Sequence, residues 1–97
     1  MIQHSVIFKL KHTRGSEAEK RFMNAAMRLA SIPGVLNFKG FRQISKKNTF
    51  DYGLVMEFES IREYETYNQH PDHLGFISDY WMDGVEDFLE IDYEPLP

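Results

Sequence analysis

Ile2-Gln3-His4-Ser5-Val6-Ile7-Phe8-Lys9-Leu10 sends Ile2, His4, Val6, Phe8 and Leu10 to one side and Gln3, Ser5, Ile7 and Lys9 to the other. Successive side chains of a strand point to opposite faces, so this period of two marks a half-buried strand. Working outward, Gly15-Ser16 precedes Glu17 and Glu19, acidic residues that suit the positive end of a helix. Phe22, Ala25, Ala26, Leu29 and Ala30 then recur at helical spacing until Ile32-Pro33-Gly34, where proline and glycine end the helix.

Val35 to Ser45 is rich in apolar residues without clean alternation, which predicts a strand bent near Gly40. Lys46-Lys47-Asn48-Thr49 is a polar turn, and Phe50 to Glu59 alternates again, so the two strands form a hairpin. Ser60 with Glu63 has the spacing of a capping box, opening a short helix that carries Tyr64 and Tyr67 until Pro71 interrupts it. A further helical stretch carries His73, Phe76, Ile77, Tyr80 and Trp81 toward Val85, and Phe88 to Glu94 supplies the last strand. The order strand, helix, strand, strand, helix, strand is that of a ferredoxin-like α+β sandwich, one βαββαβ domain over residues 1–97. Two helices should cover one sheet face. The other, with Ile7 and Val55 beside Ser5, Lys9 and Glu57, is mixed in polarity and meets either water or a second subunit.

A chain of 97 residues supports one core, so any pocket must lie between layers or subunits. The formal charge of −4, with Asp83, Glu86, Asp87, Glu90, Asp92 and Glu94 crowded together, argues against nucleic acid as a partner. No cysteine is present, which removes disulfides, thiolate metal sites and cysteine nucleophiles. The first residues read as a strand rather than a signal peptide, and no apolar run approaches a membrane span, so the expected location is the cytoplasm.

The stretch Tyr67-Asn68-Gln69-His70-Pro71-Asp72-His73-Leu74-Gly75-Phe76 holds the densest set of proton-transfer groups. If Pro71 opens a helical turn, His73 and Phe76 share one face. His4 shares its strand face with Val6 and Phe8, so a gap between sheet and helices would bring it toward His73. Asp92, on the last strand, is placed to orient one of these histidines by a hydrogen bond and fix its tautomer. Phe8, Phe22, Phe58, Phe76 and Trp81 fall at core positions and would also wall such a pocket. Structural readings compete at every position. His4 alone on an apolar strand face is more often a satisfied core histidine than a catalyst, His70 before proline suits a helix break, and Tyr67 with His73 can simply specify packing. The histidines lack an assured carboxylate co-ligand, so no metal or other cofactor is expected.

The chain resembles the stress-responsive α/β-barrel (Dabb) family over nearly its full length. The resemblance is carried by His4 to Lys11, Ile32-Pro33-Gly34-Val35, Phe50 to Leu54, Glu57 to Ser60, Tyr67 with His70-Pro71-Asp72-His73 and Phe76, and Ile91-Asp92-Tyr93. It implies a homodimer with two sheets packed face to face into a barrel. Within the family the chain is similar to plant polyketide cyclases that form olivetolic acid by intramolecular aldol condensation. Their catalytic tyrosine and histidine fall on Tyr67 and His73, and further pocket histidines fall on His4 and His70. A third pocket histidine falls near Tyr52 and a helix tyrosine near Ala26, so the implied pocket differs in shape. Aldol closure needs a base beside a carbonyl and a donor to the resulting oxyanion, roles suited to histidine and tyrosine. The expectation is a homodimer that binds, and acts by acid/base chemistry on, a small hydrophobic carbonyl or aromatic compound. The alternatives are a non-catalytic stress-associated dimer and a heme-handling barrel with His73 as axial ligand.

Overall fold

The computed structural model describes all residues, Met1–Pro97. Strands β1 (Ile2–Leu10), β2 (Leu36–Arg42), β3 (Tyr52–Phe58) and β4 (Val85–Tyr93) form one antiparallel sheet in the order β2-β3-β1-β4. Helices α1 (Glu17–Met27), α2 (Ile61–Gln69) and α3 (Pro71–Phe76) lie on one face. This is the expected ferredoxin-like α+β sandwich. Along β1 the even-numbered residues His4, Val6, Phe8 and Leu10 are buried while their odd-numbered neighbours are not, so the alternation sets which face the helices cover. Phe8, Phe22, Leu54, Met56 and Phe58 are at most 1% exposed and fill the space between the layers. Each such side chain is worth about 1.5–3 kcal/mol of burial.

Local chemistry fixes the helix starts. Ser16 Oγ accepts from Glu19 N at 3.2 Å, and the Glu19 carboxylate reaches back to Gly15 N at 3.0 Å. Ser60 departs from the expected cap: its hydroxyl donates to the Glu63 carboxylate and accepts nothing from the main chain.

Three expectations need correction. The bend in β2 lies at Asn37, not Gly40. Asn37 has φ 50°, the register slips between Leu36 and Lys39, and the amide donates to Glu57 at 2.8 Å. Asparagine tolerates this left-handed conformation better than most residues. The helix after Pro71 is not continuous, because Ile77–Trp81 widens into a π turn. The last strand starts at Val85 rather than Phe88, since the chain turns at Gly84. Gly84 O accepts Lys11 N at 2.8 Å, and a Cβ at Gly84 would lie 3.1 Å from the Phe22 ring. No helix is long and apolar enough to cross a membrane.

Candidate acid/base site

β4 is an edge strand whose helix-side residues Phe88, Glu90 and Asp92 stay exposed, so a cleft opens between β4 and the helices. His4 faces this cleft from β1, paired in register with Asp92, and is 5% exposed. Its Nδ1 lies 2.5 Å from Asp92 Oδ1, so the proton sits on Nδ1 and is donated to the carboxylate. Tyr64 completes a triangle: its hydroxyl donates to Asp92 Oδ2 at 3.0 Å and lies 3.0 Å from His4 Nδ1. The Tyr64 ring stacks on Phe58 at 5.1 Å. Burial, then the Asp92 hydrogen bond and charge, push the Tyr64 phenol well above its ordinary range.

Tyr67 lies on the same face of α2, three residues after Tyr64. It is 2% exposed, with its ring 5.1 Å from Phe58 and 4.6 Å from the imidazole of His73. Its hydroxyl has no hydrogen bond within the chain, yet no sealed side-chain nitrogen or oxygen lacks a partner. The oxygen must therefore touch accessible space. The same holds for Nε2 of His4 and of His73, whose bonds all run through Nδ1. Burial raises the Tyr67 phenol, which stays a proton donor.

His73 is half-buried on α3, and its Nδ1 donates to the Asn68 carbonyl at 3.0 Å. That bond fixes the tautomer and leaves the Nε2 lone pair free. Burial is the main cause lowering its pKa from 6.5, so the imidazole is neutral around pH 7. A neutral base and a protonated phenol thus stand side by side.

The other sequence candidates take different places. His70 caps α3, its Nδ1 accepting Asp72 N at 3.1 Å, and joins no hydrogen bond of the His4 cluster. Phe8, Phe22 and Phe58 are 0–1% exposed and wall no open space. Phe76 and half-buried Trp81 pack on Phe22, and Trp81 meets Phe88 edge-on at 5.4 Å. The expected pocket between sheet and helices is thus largely filled by aromatic side chains, and the cluster opens sideways past β4. A groove of about 540 Å³ lies elsewhere, between α1 and α3, and of the candidates only Phe76 touches it. Sequence reading passed over Tyr64 and Glu90. Their signals were the three-residue spacing from Tyr67 and the two-residue spacing from Asp92.

The family model of the stress responsive A/B barrel domain (Dabb) matches residues 2–95. A Dabb protein of Mesorhizobium loti with a ferredoxin-like fold is 48% identical, with 99% of this chain and 97% of that one covered and a TM-score of 0.95. A dimeric ferredoxin-like protein from Thermobifida fusca shares the fold at 19% identity, with 95% of this chain and 88% of that one covered and a TM-score of 0.78. A stress-response A/B barrel domain-containing protein of Arabidopsis thaliana is 26% identical over 96% of this chain, which spans only 36% of that protein's length. With its ferredoxin-like sheet, its near-complete match to the family model and the Mesorhizobium relative together, this chain belongs to the stress-responsive A/B barrel (Dabb) family.

Proposed function

We propose that the cleft beside β4 binds a small carbonyl compound with an apolar body and moves a proton at the carbon next to the carbonyl. His73 Nε2 takes the proton, the C–H electron pair becomes an enolate, and the Tyr67 hydroxyl donates a hydrogen bond to the oxyanion. The enolate carbon then attacks a second carbonyl of the same molecule, and the imidazolium returns its proton to the new alkoxide. Atoms and charge balance without a cofactor. Intramolecular aldol closure of this type is what the resemblance to the plant polyketide cyclases implies for the reaction. The His4–Asp92–Tyr64 triangle serves as a rigid wall that holds the His4 ring beside Tyr67, with ring centroids 6.3 Å apart.

One observation carries the reading: the Tyr67 side chain is 2% exposed, its hydroxyl lacks any partner in the chain, and it adjoins a neutral histidine with a free Nε2. A buried hydroxyl with no structural bond is costly unless something outside the fold completes it. Solvent-deuterium exchange into phenylacetone tests the proton-transfer step without knowledge of the natural substrate. The wild-type chain should accelerate exchange well beyond free imidazole at equal concentration. His73→Ala should return the rate to background, and Tyr67→Phe should lower it by roughly 10²-fold. A wild-type rate no greater than that of imidazole would defeat the catalytic reading.

The partner we propose is a second copy of this chain, packed on the open sheet face. Ile7, Val55 and Ile91 are half-buried there and Phe41 and Leu89 are about half exposed, a contiguous apolar patch across all four strands. The dimeric Thermobifida neighbour supports this assembly.

A further inference from the structure

Along β4 the helix-side row reads Phe88, Glu90, Asp92, set against Phe8, Val6 and His4 of β1. Both ends of this row are anchored. Phe88 meets Trp81, and Asp92 is held by His4 and Tyr64. Glu90 lies between them on the same face and so projects into the cleft across which Tyr67 and His73 stand.

Unlike that of Asp92, the carboxylate of Glu90 forms no hydrogen bond in the chain, and no lysine or arginine lies within ion-pair distance of it. Lys9, on the opposite face of the sheet, is paired with Glu86 at 3.5 Å. Opposite this free carboxylate stand the unpartnered Tyr67 hydroxyl, on a side chain 2% exposed, and the free Nε2 of His73. After burial, the negative charge of Glu90 is among the causes that raise the Tyr64 and Tyr67 phenols, and it partly offsets the burial that lowers His73.

We infer that Glu90 is the specificity-determining residue of the cleft, selecting a ligand that carries a protonated amine beside its apolar body and refusing carboxylates. Like charges repel even at an exposed site at low salt, and no lysine or arginine pairs with Glu90 to compensate. The inference rests on the cleft being the binding site, as proposed above.

Three probes with one body separate the two claims: 2-phenylethylamine, 2-phenylethanol and phenylacetate, titrated into the intact chain at low salt while the Tyr67 and His73 resonances are followed by NMR. The amine should bind about tenfold more tightly than phenylacetate, a gap that narrows in high salt. Glu90→Gln should bring the ratio near one, and Glu90→Lys should reverse it. If 2-phenylethanol binds but charge makes no difference, or Glu90→Gln leaves the preference unchanged, the role of Glu90 fails and the cleft reading stands. If none of the three probes moves the Tyr67 or His73 resonances, both fail together.

Discussion

Tyr67 and His73 meet across the helix break at Pro71 with ring centroids 4.6 Å apart and planes tilted by 47°, and the bond from His73 Nδ1 to the Asn68 carbonyl closes that break. Proline removes one main-chain donor and opens a new turn, so the side chain of His73 binds a carbonyl near the end of α2. The pairing places a base and a donor on one rigid joint. It also keeps the imidazole neutral, since burial disfavours its charged form.

A histidine whose folded pKa lies below the unfolded value binds fewer protons in the fold than in the open chain. Stability is therefore unaffected by His73 above pH 6.5 and falls as pH drops from 6.5 through its lower folded pKa. NMR titration of the imidazole should give a midpoint below 6.5. Urea midpoints measured across this window should fall less steeply with acidification in His73→Gln than in wild type. A midpoint at or above 6.5 would contradict the burial argument.

Replacing Tyr67 or Tyr64 by phenylalanine separates a functional hydroxyl from a structural one. Tyr67 Oη bonds nothing in the chain, so Tyr67→Phe should change stability by less than about 0.5 kcal/mol. Tyr64 Oη bonds Asp92, so Tyr64→Phe should cost about 1 kcal/mol. Chemical denaturation of both variants settles the comparison, and equal losses would mean that Tyr67 is held by the fold alone.

Asp92→Asn tests the wall of the site. The variant keeps the shape but removes the charge that receives the His4 Nδ1 proton, and His4 is 5% exposed. The asparagine oxygen can still accept from His4 Nδ1, so losing the charge assistance should destabilise the fold by about 1 kcal/mol and loosen the His4 ring. Denaturation and the line width of the His4 ring signals would report it. A variant as stable as wild type would make the contact ornamental.

Much of this site could be read in the chain because strands and helices repeat. The alternation of Ile2 to Leu10 put His4 on the helix face, and a second alternating strand brought Asp92 beside it. Tyr64 and Glu90 were missed for a physical reason: each is an ordinary surface residue by type, and only the cleft at an uncovered edge strand gives it neighbours. The filled interior was illegible for a related reason, since periodicity marks Phe8, Phe22 and Phe58 as inward-facing but does not say whether space remains between them. The bend was assigned to Gly40 because glycine is the usual marker, whereas Asn37 adopts the left-handed turn. Gly40 instead admits Met27, whose sulfur would lie 3.1 Å from an added Cβ.

Gly84→Ala should be among the costlier small substitutions. Its Cβ would lie 2.9 Å from His12 Nε2 and 3.1 Å from Phe22, which is 1% exposed. His12 can swing aside, but Phe22 is locked by Phe8, Phe76 and Trp81. A loss of about 1–3 kcal/mol is expected. The double variant Gly84→Ala with His12→Ala should recover little of it by thermal denaturation, and full recovery would place the strain at His12 instead.

The open sheet face gives the test of assembly. Leu89 pairs with Ile7, which pairs with Gly53, which pairs with Phe41, so one row of the sheet presents three apolar side chains, with the Ile7 side chain leaning toward the space a side chain at Gly53 would take. In a face-to-face assembly, charge at Leu89 would be trapped against apolar atoms. Leu89→Glu should weaken association about 100-fold, or about 2.7 kcal/mol, while leaving the monomer folded, because Leu89 is 49% exposed in the single chain. Sedimentation velocity over a dilution series checks this. A wild-type chain that sediments as a monomer at high concentration would remove the dimer, and a Leu89→Glu variant that associates as wild type does would move the interface off this face.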